Sequence, residues 1–451
     1  MTQSPPSEAG TAAETDGLAG LLLRAAVLGP VAALAVAVFI VAQHHLQILL
    51  WEDLPDRLGL DGVPWWWVIG VLVLGALLTA LALRLPGGGG HSPLDGFAFD
   101  IGPRQVVSVL AAALASLSFG AVLGPEAPAL AIGTALGVVA AGAAGGATGP
   151  AAQQQRMMLM LAGGGAAFGL VLGNPLAVAL IIVEAALLAR RASNPLALLP
   201  VAVSLALGYL VQVGVADWPG IGETTLAIPG LDPYPEVQLA DVLLAVPLAV
   251  AVAALTAESL HNARRFRAWA HGRPPVVPLV LAALGVGTVA VVVQAITQEP
   301  VDVVLFSGQS AIPLVLTATS VGTLLVIAVA KAVAYALSLG GGFRGGQIFP
   351  AIYLGAVLAS AVALVVPSST LQGLLPAALA AGAAAVLRLP FSSALLAVLL
   401  TSSAGPAVTA PALLGAVGGL LTASALDRLR RVPGVPPSDD PEREDTKALR
   451  P

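Results

Sequence analysis

Two stretches of this chain join a side chain capable of chemistry to the backbone punctuation that would expose it. The first is Gly124-Pro125-Glu126-Ala127-Pro128, followed by Gly133 and Gly137, with apolar runs on both sides. A carboxylate at membrane depth costs on the order of a few kcal/mol, so a functional role is the default reading. Pro128 suits the first turn of a helix, where its missing N–H would have no partner anyway. The free N–H groups of such a helix start can face an anion. A carboxylate in the same place takes the anion's position itself, as a tethered plug that protonation would neutralise and release. The plainer reading is a carboxylate that only caps its own helix; at membrane depth the functional reading is preferred.

The second stretch runs from Gly340 through Phe343, Arg344, Gly345 and Gly346 to Gln347-Ile348-Phe349-Pro350, with Gly355 beyond. Glycines permit unusual dihedrals and close backbone approach. The N–H groups of Gln347, Ile348 and Phe349 are positioned to form an anion-binding nest. Arg344 either draws anions or snorkels to the interface. Two such helix starts converging on one point would make a dehydrated anion site without a fully buried cation.

These motifs need a membrane around them, and the composition supplies one. Of 451 residues, 57% are hydrophobic and 10% charged, and the mean hydropathy is +0.91. A soluble domain carries roughly 25% charged residues, so the chain is an integral membrane protein. Its 50 glycines favour a tightly packed bundle, because small residues let membrane helices approach closely. The absence of cysteine excludes disulfides, thiol catalysis and thiolate metal sites. The polar, acidic residues before Asp16 do not resemble a secretory signal. No cofactor is expected: His44-His45 is a weak metal candidate, since adjacent helix residues do not share a face.

Residues 1–17 and 427–451 read as polar disordered tails. Between them lie fourteen apolar segments, several shorter than the roughly 20 residues a full span needs. Short, Gly/Pro-interrupted segments at matching places in two halves point to a transporter-type site at the midplane. Pro128 and Gly133 recur as Pro350 and Gly355, 222 residues on, and Asn174-Pro175 recurs as Leu389-Pro390, 215 residues on. The spacing predicts two repeats, 18–215 and 216–426, in an all-α bundle of tilted and broken helices. Arg190-Arg191, Arg264-Arg265, Arg267, Arg273 and Arg428-Arg430-Arg431 sit at ends of apolar segments. The positive-inside rule then places these loops and the C-terminus in the cytoplasm of a multi-pass plasma-membrane protein. Trp51 and Trp65-Trp66-Trp67 read as interfacial anchors. Lys331, inside an apolar segment, reads as paired or snorkelling, with a pathway role as the other reading.

Gly124-x-Glu126-x-Pro128 resembles the G-K/R-E-G-P signature of the CLC chloride channel and transporter family. Gly346-x-Ile348-x-Pro350 resembles that family's G-x-F-x-P signature. Asn174-Pro175-Leu176-Ala177 and Arg388-Leu389-Pro390 extend the likeness, and the spellings are closest to a divergent bacterial branch of ion-transport proteins. The resemblance implies an inverted-repeat helical fold, a homodimer with one pore per subunit, chloride or another small anion as cargo, and Glu126 as the gating glutamate. The expected anion site comprises Ser92, Gly124, Gln347, Ile348 and Phe349, with Pro128, Gly133, Gly346, Pro350 and Gly355 shaping the helix starts.

The chain also departs from that pattern. Pro125 stands where the family has a cation, which removes a charge and a backbone donor. The first anion motif, G-S-G-I-P, is not intact; Gly90-His91-Ser92-Pro93 is its nearest counterpart, and Ser92 is the candidate donor. No tyrosine follows Tyr353, so the family's C-terminal pore tyrosine has no counterpart. Ala185 replaces the inner glutamate that relays protons in antiporters, and Glu184 beside it is left either to pass protons or to pair with an arginine. The expected function is anion movement as a channel or transporter, with proton-coupled chloride antiport as the alternative. An intramembrane enzyme would need a nucleophile with a base or a metal cluster, and no HExxH, GxSxG or paired intramembrane aspartates occur.

Overall fold

The computed structural model describes residues 8–96, 102–142, 149–188, 198–221 and 227–430. Among these the chain is helical, and the one extended pairing is an isolated bridge. Helix α1 (Glu8–Ile48) passes through a π-helical turn, Leu49–Asp53, into α2 (Leu54–Arg57). Then follow α3 (Trp65–Ala82), α4 (Pro103–Leu117), α5 (Glu126–Gly142), α6 (Pro150–Leu172), α7 (Pro175–Leu188) and α8 (Leu199–Gly214). The second part holds α9 (Leu239–Ala270), α10 (Val276–Thr297), α11 (Ile312–Leu316), α12 (Val321–Gly341), α13 (Ile348–Val365), α14 (Leu371–Leu387), α15 (Pro390–Leu400) and α16 (Thr409–Arg430).

Helix α1 starts at Glu8, inside the stretch read as a tail, and α16 carries the chain to Arg430. Residues 431–451 and Arg190-Arg191 lie outside the described residues. Among the described residues, eight helices are long and apolar enough to cross a membrane. Six more, α4, α5, α7, α8, α14 and α15, are apolar but shorter, as the interrupted segments suggested.

Small residues set the close crossings around the two motifs. A Cβ on Gly133 of α5 would run into the Gly163 carbonyl of α6, and one on Gly163 into Gly133. Gly137 meets Leu159 and Met160 in the same way. Along α13, Gly355 lies on Ala378 of α14, while Gly382 of α14 lies on Ala351. Each helix that begins at a candidate site is thus locked by close backbone contact to the helix that follows it in sequence.

Helix α12 stops at Gly340-Gly341-Gly342, where Gly342 takes φ 100. Between it and α13 the backbone is irregular and largely buried. The same holds between α4 and α5. Buried peptide groups need partners, and the two breaks supply them to each other. Gly124 N–H donates to Gly346 O at 2.9 Å, and Gly346 N–H donates back to Gly124 O. Val122 N–H donates to Ser338 Oγ at 3.0 Å and Arg344 N–H to Ser116 Oγ at 2.9 Å.

Several of the arginines expected at segment ends, Arg264, Arg267, Arg273 and Arg430, are in ion pairs or stacked, as is Arg388. Arg267 meets Asp95 at 2.6 Å, Arg388 meets Asp427 at 2.6 Å, and Arg430 meets Glu258. The Arg273 guanidinium lies 4.0 Å from the Trp269 ring centre.

Candidate functional site

Residues 222 positions apart in sequence meet at the paired loops. Glu126 opens α5 and is fully buried. Its side chain stays near its own backbone N–H and reaches across to the start of α13. Oε1 accepts from Ile348 N–H and Phe349 N–H, both at 3.1 Å, at the start of α13. The N–H groups expected to hold an anion therefore hold a carboxylate, which also suits the positive end of the α13 dipole. Oε2 is buried and has no hydrogen-bond partner. Such an orphaned oxygen is costly in a low-dielectric setting. Gly124 and Gly346 frame the carboxylate, for a Cβ on either would overlap it. Their own N–H groups are used in the mutual pairing, so neither is free for a ligand.

A family model described as "Voltage gated chloride channel" matches residues 92–424. The chain belongs to the voltage-gated chloride channel family. Among curated relatives, "Putative ion-transport protein YfeO" of Escherichia coli strains K12 / DH10B and O157:H7 is 27% identical over 350 residues, covering 75% of this chain and 78% of the relative. Its fold matches a slow cyanobacterial Cl−/H+ antiporter, with TM-score 0.72 and 18% identity over 90% of this chain and 95% of that one. A CLC-type fluoride/proton antiporter matches with TM-score 0.63 and 15% identity, over 90% of this chain and 96% of the other. A eukaryotic CLC transporter matches with TM-score 0.66 and 18% identity, over 90% and 72%. The chain is thus a multi-pass membrane protein of the CLC fold, in a family of anion channels and transporters.

Within that fold the other expected residues fall into place unevenly. Gln347 caps α13; its side-chain amide donates to Pro93 O at 3.1 Å. That contact brings the turn Pro93–Asp95 and the adjacent, half-buried Ser92 to the mouth of the site. The Ser92 hydroxyl caps nothing in this turn. Pro128 and Pro350 lie in the first turns of α5 and α13, while Gly133 and Gly355 serve the helix crossings described above.

Glu184 meets backbone donors, and it forms no ion pair with an arginine among the described residues. Its Oε1 accepts from Phe391 N–H at 3.0 Å, and its Oε2 accepts from Ser392 N–H at 2.8 Å and Ser392 Oγ at 2.6 Å. It closes the start of α15, where Pro390 opens the helix.

One site residue went unnoticed in the sequence. Tyr335 of α12 is fully buried and donates its hydroxyl to Gln347 O at 2.8 Å. It also lies within electrostatic reach of Glu126. The available signal was a phenol inside an apolar helix, since a buried hydroxyl wants a partner. On the far side of the Glu126 loop a pocket opens, lined by Leu123 and Pro125 and by polar residues including Gln43, His44, Ser307 and Ser310.

Proposed function

We propose that this protein moves chloride or a similar small anion across the membrane through the site between α5 and α13, with Glu126 as its gate. The observation that carries this is the Glu126 carboxylate on Ile348 N–H and Phe349 N–H. Two backbone donors at a helix start are the chemistry of an anion site, and the carboxylate fills it as an anion would. Its unpaired second oxygen leaves the closed state only partly satisfied. Protonation removes the charge that holds the side chain on α13, so the gate opens as pH falls.

Ser92 and the amide of Gln347 form the opposite mouth, next to the turn that Gln347 anchors. The chain works as a homodimer with one pathway per subunit, in the plasma membrane, with the C-terminus cytoplasmic. Residues 18–215 and 216–426 are its two repeats. The named structural neighbours include two antiporters, and proton exchange is the competing mode. Ala185, and a Glu184 already engaged by three donors, favour uncoupled movement.

The deciding experiment is anion flux into liposomes for the wild type, Glu126→Gln and Glu126→Ala. Both variants are expected to lose the pH dependence and to conduct at neutral pH. Flux that is unchanged in both removes Glu126 from the gate. An imposed proton gradient is expected to drive no uphill chloride movement; uphill movement would establish antiport.

A further inference from the structure

Lys331 is the strongest charge in the bundle that the gate does not use. It lies midway along α12 and is fully buried. An ammonium has three donors and no acceptor. Nζ donates to Leu305 O at 2.8 Å and to Phe306 O at 3.0 Å, and the Tyr353 ring centre lies 4.7 Å away. Two carbonyls and an aromatic face answer the three donors, which offsets part of the cost of burying the charge.

The two carbonyls belong to a loop held rigidly in place. Phe306 takes φ 57, its N–H points to Gly120 O at 3.5 Å, and its ring meets Trp51 edge-on at 5.4 Å. The loop is also a wall of the pocket beside Glu126: Phe306, Ser307, Gln309 and Ser310 line it together with Leu123 and Pro125. A trans peptide carries its C=O and N–H on opposite edges. The N–H of the Leu305 peptide, on Phe306, is spent on Gly120 O, so the peptide left to turn a positive edge toward the pocket is that of Phe306, whose N–H lies on the pocket-lining Ser307.

We infer that Lys331 is a specificity-determining residue of the pathway: an ammonium fixed behind the pocket wall that makes this mouth positive and draws anions to Glu126, acting through the Phe306 peptide. It rests on the reading of Glu126 as the gate. No side chain at position 125 supplies a cation there, because that residue is proline. Asp302 on the neighbouring turn is in electrostatic reach of Lys331 and offsets part of its field, while its own side chain borders solvent.

The test is chloride influx against chloride concentration, with the full chain in liposomes, for the wild type, Lys331→Met, Lys331→Arg and Ser310→Asp. Removing a unit charge near the pathway should raise half-saturating chloride about tenfold. The saturated rate of Lys331→Met should stay within about twofold of the wild type, because a charge that concentrates anions acts on entry. Lys331→Arg keeps the charge and should stay near the wild type. Ser310 is exposed, so Ser310→Asp should fold and should raise half-saturation similarly. If Lys331→Met does not purify, Ser310→Asp decides alone. Half-saturation unchanged in Ser310→Asp, a Lys331→Met defect confined to the maximal rate, or a Lys331→Arg as impaired as Lys331→Met overturns the inference. A wild type without anion flux sinks the gate reading with it; normal wild-type flux with any of those results sinks this inference alone.

Discussion

Two buried glutamates, Glu126 on α5 and Glu184 on α7, each reach across the fold to the first N–H groups of another helix. Each accepts from two successive residues, Ile348 and Phe349 in one case and Phe391 and Ser392 in the other. They differ in how the donors are shared. Glu126 puts both N–H groups on one oxygen and leaves the other buried and unpaired. Glu184 uses both oxygens and gains a serine hydroxyl as a third donor. A fully satisfied buried carboxylate has little to gain by leaving, whereas a half-satisfied one is held by the balance of two hydrogen bonds against the cost of its orphan oxygen. On the proposed reading, the same motif serves as a movable plug at α13 and a fixed cap at α15. Neighbouring space agrees: a pocket lined by Pro125 opens beside Glu126.

The contrast breaks most sharply at Gly124. The three nearest atoms a Cβ there would meet all belong to the Glu126 carboxylate, the part that can move. Gly124→Ala should expel the carboxylate from α13 while keeping the Gly124–Gly346 backbone pairing. Flux at neutral pH should then rise roughly tenfold, the factor that corresponds to 1.4 kcal/mol, and its pH dependence should flatten. Flux measured across pH in liposomes checks this. Retained wild-type pH dependence would mean that the carboxylate is not what closes the site.

Glu184→Ala probes the other side of the comparison. It strips three hydrogen bonds from the start of α15 and should cost about 2–3 kcal/mol, since bonds to a charged group are the stronger kind. A lower melting temperature in detergent is the expected readout, with flux per folded protein within about twofold of the wild type. The reverse pattern, unchanged melting with altered proton dependence of flux, would move Glu184 from cap to proton path.

What could be read in the sequence follows from where the marks lie. Glu126 is a charge among apolar residues, and α13 announces its start with glycines before Pro350, so both ends of the central contact were visible. The short apolar segments foretold the interrupted helices. The partners were harder to see. Glu184 was read as passing protons or pairing with an arginine because charges are visible in a sequence; the N–H groups of α15 carry no side-chain signature, and every helix start has them. The pairing of Gly124 with Gly346 joins backbone groups, which glycine permits but does not specify. Gly133 and Gly355 were read as parts of the helix-start motifs, and in the fold they are crossing points, because a glycine's use depends on what approaches it.

Tyr335 offers the finest test. Its hydroxyl donates to Gln347 O, at the residue that caps α13, and makes no bond to the Glu126 carboxylate. Tyr335→Phe removes one hydrogen bond between neutral groups and keeps the buried ring, so the expected loss is about 1 kcal/mol. Flux should stay within about twofold, because Ile348 and Phe349 still present their N–H groups and Glu126 still occupies them. A thermal melt and a flux measurement on the same preparation separate the two effects. If Tyr335→Phe instead changes flux as strongly as Gly124→Ala, the hydroxyl must act on the anion once the carboxylate has left. The site would then extend onto α12, and the difference between Glu126 and Glu184 would lie in a third helix as well as in the unpaired oxygen.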